Sequence, residues 1–71
     1  MINKYYLHKK GGVYKVISIA IHSENKTEMV VYRSMDDGGY WVRPKEMFND
    51  GRFKEISFFH LIYLRIFEFF H

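Results

Sequence analysis

Cysteine is absent from this 71-residue chain. That excludes disulfides, thiolate metal ligands and a cysteine nucleophile, and it agrees with a reducing compartment. Proline occurs once, at Pro44, so most chain reversals fall to glycine, asparagine and aspartate turns. Residues 1–12 hold no apolar stretch of the kind a secretory signal needs, and the expected location is cytoplasmic. No segment reads as a bilayer span: the most apolar one, residues 57–71, is too short and carries Arg65 and Glu68. Internal repeats, low-complexity tracts and linkers are lacking, which leaves one domain. No order of Ser, His and Asp suggests an acyl-transfer triad.

Aromatic residues, by contrast, reach 20% of the chain. A domain this small has little core, and large rings bury much area per residue, so core filling is their first expected use. The net charge is +3, and all of it lies before residue 57. This leans weakly towards anionic partners. It falls short of the basic stripe of a dedicated DNA binder.

Turn signals divide residues 1–56 into short β-forming runs. Residues 4–8 read as a first strand, and Lys9-Lys10-Gly11-Gly12 as a turn. Residues 13–21 form the strongest strand. Alternation puts Val13, Ile17, Ile19 and Ile21 on one face and Tyr14, Val16, Ser18 and Ala20 on the other, so both faces look buried. A polar loop at residues 23–27 leads to a strand at 28–34. Asp36-Asp37-Gly38-Gly39 is a hairpin turn into a strand at 40–43. Pro44 is expected to end that ladder and to open a single helical turn, of 3-10 or α type, through Met47 and Phe48. Residues 49–51 turn the chain into a last strand at 52–56. The expected fold is mainly β, a small five-stranded barrel, closed or half-closed, over residues 1–56.

Residues 57–71 differ in character. Ser57, His60, Arg65, Glu68 and His71 cluster within about 140° of a helical wheel, leaving a wide Phe-rich face. An amphipathic helix is expected, packed over the barrel or against a second copy through Phe58, Phe59, Ile62, Ile66 and Phe69. Its single Arg argues against a membrane-surface helix.

Several motifs, taken together, carry a family resemblance. They are His8 with Lys10-Gly11, Tyr14-Lys15-Val16, Ala20-Ile21-His22-Ser23-Glu24 and Val30-Val31-Tyr32-Arg33. Trp41-Val42-Arg43-Pro44 with Glu46-Met47-Phe48, then Arg52-Phe53, complete the set. From Tyr5 to Ile56 the chain resembles the bacterial and phage family catalogued as domain-of-unknown-function family 1653. The resemblance implies an SH3-like β-barrel and no established activity. The sequence departs from the family in the short loop Ser34-Met35-Asp36-Asp37 and in the tail after Ile56, which has no family counterpart.

Candidate chemistry is sparse. His22 and Glu24, with His8, could form a metal or acid–base site, but their spacing fits a solvated hairpin shoulder better. Asp36-Asp37-Gly38 lacks the further carboxylates of a hard-cation loop and reads as a turn. The Gly-Gly pairs lack the helix start and Lys-Ser/Thr of a phosphate loop. No enzyme activity, cofactor or metal is therefore expected. The more informative set is Tyr32, Arg33, Trp41, Arg43, His22 and Arg52. Interleaved on neighbouring strands, rings and guanidinium groups make a surface that stacks bases and pairs phosphates, or a groove for an extended peptide. The competing reading places Tyr32 and Trp41 in the core, with the arginines tying the barrel to its own loops. The expected function is a non-enzymatic binding module for an anionic ligand, single-stranded nucleic acid or a nucleotide. The alternative is protein interaction or homodimerisation through the Phe-rich tail.

Overall fold

Runs rich in Val, Ile and Tyr broken by Gly and Asp turns become strands because branched and ring side chains pack well on a pleated surface. The structure, a computed structural model, describes residues 1–60 and residue 62. It contains β1 (Tyr5–His8), β2 (Val13–Ile21), β3 (Glu28–Ser34), β4 (Tyr40–Pro44), the one-turn helix α1 (Lys45–Phe48) and β5 (Phe53–Ile56). The strands form one antiparallel sheet in the order β4-β3-β2-β1-β5. Consecutive strands therefore meander outward to β4. The chain then crosses by way of α1 to lay β5 against β1, with Tyr5 opposite Ile56 and His8 opposite Phe53.

The central strand departs from plain alternation. Its pairing with β3 runs Val16↔Tyr32 and then Ser18↔Val31, so Ile17 is an extra residue in a β-bulge. A bulge shifts side-chain parity by one. Tyr14 and Val16 before it, and Ile19 after it, consequently all pack into the same cluster. The uniform face of Val13, Ile17, Ile19 and Ile21 expected from the sequence is thus corrected: Val13 joins a second cluster with Ile56, Tyr5, Leu7 and Met35, and Ile21 is exposed.

The main cluster consists of Tyr6, Val16, Val30, Tyr32, Phe48 and Phe53. Phe48 and Phe53 stack at 4.3 Å and 11° between ring planes. Tyr6 meets Phe48 edge-on at 5.0 Å, and the Tyr32 ring lies 5.4 Å from both Phe48 and Phe53. The short helix exists mainly to deliver Phe48, its one buried residue, to this stack. Burial and the neighbouring Glu55 carboxylate raise the Tyr6 phenol above its ordinary pKa of 10.0. The phenol therefore stays protonated in any neutral solution.

Pro44 is the last rung of β4, opposite Met29, one residue beyond the expected end of the strand. The register explains the tolerance. Ser34 N–H donates to the Gly39 carbonyl at 2.8 Å. Antiparallel rungs alternate between bonded and non-bonded pairs. Counting from Ser34–Gly39, Trp41 and Arg43 exchange bonds with β3, whereas Tyr40, Val42 and Pro44 turn their backbone groups away from it. The N–H that proline lacks thus belongs to the open edge, where its absence breaks nothing. Pro44 then serves as N-cap of α1, at φ −53° and ψ 138°, rather than as its first helical residue.

Gly51 adopts φ +100°, and a Cβ there would have nothing within 4 Å. Gly51→Ala therefore isolates backbone strain from crowding. The expected cost is about 1–2 kcal/mol, read as a lower urea midpoint at unchanged slope.

The tail begins as expected. Phe58, Phe59, His60 and Ile62 are helical, and His60 N–H donates to the Ser57 hydroxyl at 3.0 Å, an N-cap bond. Phe58 approaches Tyr5 at 6.3 Å, while Phe59 is 81% exposed. The rest of the expected helix, with Ile66 and Phe69, lies outside the described residues. Among the described residues no helix is long and apolar enough to cross a membrane.

Candidate functional site

The β3–β4 hairpin decides which of the predicted residues meet. Directly opposed residues share a face, so the pairs Tyr32↔Trp41 and Val30↔Arg43 put Trp41 and Arg43 on the same side as the buried Tyr32 and Val30. Trp41 is nevertheless 55% exposed, because β4 ends the sheet. The ring stands at the open rim of the core side.

Arg43 lies half-buried beside it. Its guanidinium carbon sits 5.5 Å from the Phe53 ring centroid, a cation–π distance. Its Nε donates a long 3.4 Å bond to the Tyr32 hydroxyl. Among the described residues, its Nη1 is the buried side-chain nitrogen with no hydrogen-bond partner.

His8 extends the same surface. Its ring packs edge-on against Phe53 at 4.8 Å and Tyr14 at 6.5 Å. Nδ1 accepts the Lys10 backbone N–H at 3.0 Å, which leaves Nε2 to carry the proton of the neutral ring. Desolvation first, then the charges of Arg43, Lys10, Lys9 and Arg52, hold its pKa below the ordinary 6.5. Arg52 is tied to Asp50 at 3.1 Å, and its carbonyl accepts the Lys9 N–H at 2.9 Å. The result is a rim of rings, Trp41, Tyr14 and His8, over the buried Phe53 and bordered by cations.

Two predicted members fall elsewhere. Arg33 is on the opposite face, where Nε donates to the Gly38 carbonyl at 3.2 Å and the guanidinium lies 5.4 Å from the Tyr40 ring centroid. It clamps its own hairpin. His22 is at the far end of β2, where Nδ1 accepts the Glu24 N–H at 3.2 Å and shapes the loop. β2 spans nine residues, roughly 30 Å at strand rise. His8 and His22 stand at opposite ends of it, so they do not converge with Glu24, and no group of three His, Cys, Asp or Glu converges among the described residues. Asp37 Oδ1 accepts the Gly39 N–H at 2.8 Å, as a turn aspartate does. Tyr32 is 4% exposed and supports Arg43 from below rather than offering its own surface.

Tyr14, Phe53, Lys9 and Lys10 are not among the binding residues expected from the sequence, and His8 is expected there only as part of a metal or acid–base site. Their common location depends on β5 closing against β1, a pairing that no local pattern announces. A surface hollow of about 710 Å³ lies away from this rim, between the β2–β3 loop and α1. Its one cation, Lys45, is already paired with Glu28 at 2.9 Å, and Glu46 adds a further negative charge. It is poorly suited to an anion.

Fold and rim together define a small antiparallel β-domain carrying a cationic, aromatic surface at one end. A family model described as "Protein of unknown function (DUF1653)" matches residues 4–55, most of the chain, and the chain belongs to that family. No curated protein and no solved structure matches it. The family match stops before the Phe-rich tail.

Proposed function

We propose that this chain is a non-enzymatic binding module, built as an SH3-like barrel, for an anionic ligand bearing a stackable ring: single-stranded nucleic acid or a nucleotide. Trp41 stacks the ring, and Arg43 takes the phosphate oxygen. His8, Lys9, Lys10 and Arg52 supply the surrounding field. The observation that supports this most is the buried Arg43 Nη1, without a partner among the described residues, beside an exposed indole. A buried donor without a partner costs about 1–3 kcal/mol, and a phosphate oxygen would relieve that cost with a charge-assisted bond. The strand order and the one-turn helix before β5 suit the barrel reading.

Titration of Trp41 fluorescence with mixed short oligonucleotides and with nucleotides tests the proposal. The expected result is quenching whose midpoint moves to higher ligand concentration as salt rises. An emission spectrum indifferent to both ligand and salt would count decisively against it.

The histidine adds a pH signature. A native pKa below the ordinary 6.5 means that the neutral ring is favoured by folding. That contribution is complete above the unfolded value and is lost as pH falls through the native one. A bound anion offsets the neighbouring cations and raises the native pKa. Binding is therefore expected to tighten as pH falls from about 7.5 to about 5.5, with proton uptake. The same titration in His8→Gln should lose this slope.

A second reading, contact with a protein partner through the tail, has support from the exposure of Phe58 and Phe59, 56% and 81%. Removing residues 57–71 should then change the mass in solution and leave the barrel folded.

A further inference from the structure

Among the described residues β4 pairs with β3 alone, and its other edge carries three successive exposed side chains, Tyr40, Trp41 and Val42, at 65%, 55% and 62%. The alternation set by Ser34–Gly39 turns the N–H and C=O of Tyr40 and Val42, and the C=O of Pro44, towards that edge. An unpaired edge of this kind is a template for strand addition. Natural sheets guard such edges with inward charges, bulges or very short strands. Here the inward-facing Arg43 and the terminal Pro44 are the guards, and neither removes the outward backbone groups of Tyr40 and Val42.

We infer that the occupant of this edge is β4 of a second copy, paired antiparallel about a two-fold axis through Val42. The strand Tyr40–Pro44 is self-complementary in that register. Val42 faces its own symmetry mate, exchanging two backbone bonds. Tyr40 N–H meets the Pro44 carbonyl of the other copy, so the missing proline N–H leaves no carbonyl facing it except that of Tyr40, which keeps water. Trp41 comes opposite Arg43 of the other copy, twice by symmetry, an aromatic–guanidinium match with no like charges directly opposed. A foreign peptide could use the same edge bonds. Only a second copy of this sequence supplies the Trp–Arg match at both ends without further assumption. Each site then combines the Arg43 of one copy with the indole of the other. The pairing itself needs no ligand, so it stands or falls independently of the anion reading.

The contact is small, which places the dissociation constant on the order of 100 µM. Sedimentation equilibrium of the full chain, without ligand, should show the mean mass rising towards twice the chain mass as concentration approaches about 1 mM. Val42→Pro removes only an N–H that points to the open edge, and should leave a folded monomer throughout this range. Because proline could disturb the strand, Val42→Lys and Val42→Glu provide a second test at a position already exposed. Each alone should be monomeric, and their equimolar mixture should regain the dimer. A wild-type chain that stays monomeric overturns the inference and leaves the edge to a foreign extended peptide. A dimer that survives in Val42→Pro, or a Lys/Glu mixture that fails to associate, also overturns it, placing any dimer contact elsewhere.

Discussion

Phe48→Ala lowers the folding stability of the domain by about 3–5 kcal/mol. Phe48 is 1% exposed, stacks on Phe53 at 4.3 Å and takes the edge of Tyr6 at 5.0 Å. Truncating a buried phenylalanine costs about 3–5 kcal/mol, because the cavity only partly collapses. A domain of this length has a total stability of roughly 4–10 kcal/mol. The substitution thus removes between about a third and all of the reserve. It also removes the one buried side chain of α1, the segment that carries the chain from β4 to β5. Far-ultraviolet circular dichroism and urea titration read the effect directly, with Phe48→Leu as the milder comparison. A Phe48→Ala protein whose urea midpoint stays near wild type would mean that the ring stack is not the centre of the core.

Arg43→Met separates stability from binding. The thioether chain can cover the Phe53 ring that the guanidinium now faces at 5.5 Å. It removes the buried Nη1, which has no partner among the described residues, and gives up the long bond to Tyr32 and the cation–π contact with Phe53. The expected change is a gain of about 1 kcal/mol in folding stability. Anion affinity should meanwhile fall by about tenfold or more. Paired urea and fluorescence titrations measure both. A loss of stability greater than about 1 kcal/mol would instead make Arg43 a tie between the sheet and its loops, the competing reading of the sequence.

The strands were legible because turn residues punctuate them cleanly. Gly11-Gly12, Asp36-Asp37-Gly38-Gly39 and Asn49-Asp50-Gly51 mark reversals that the structure contains. The bulge at Ile17 was not legible. Val16 and Ile17 before Ser18, and Ile19, Ala20 and Ile21 after it, are all apolar, so either parity offers apolar residues to both faces. The exposure of Trp41 depends on β4 being the end of the sheet, a property of strand order that is invisible within the segment itself. Arg33 and Arg43 have the same chemistry and are ten positions apart in sequence, yet the hairpin register sends them to opposite faces. Composition drew attention to rings and guanidinium groups without saying which of them share a face. Closure of β5 on β1 decided which of them gather at the rim.

The return of β5 to β1 also governs how the chain reaches its native state. Tyr5 pairs with Ile56, so this rung joins nearly opposite ends of the folded region. The hairpins β1–β2, β2–β3 and β3–β4 can each form locally, but the long closure is entropically costly and offers no reward until α1 and β5 are both in place. On the ribosome, β1 has a bare outer edge until residue 56 has emerged, and Phe53 is missing from the ring stack for as long. Nascent chains interrupted before that point would carry an open sheet with an unfinished core, the form in which β-domains associate wrongly.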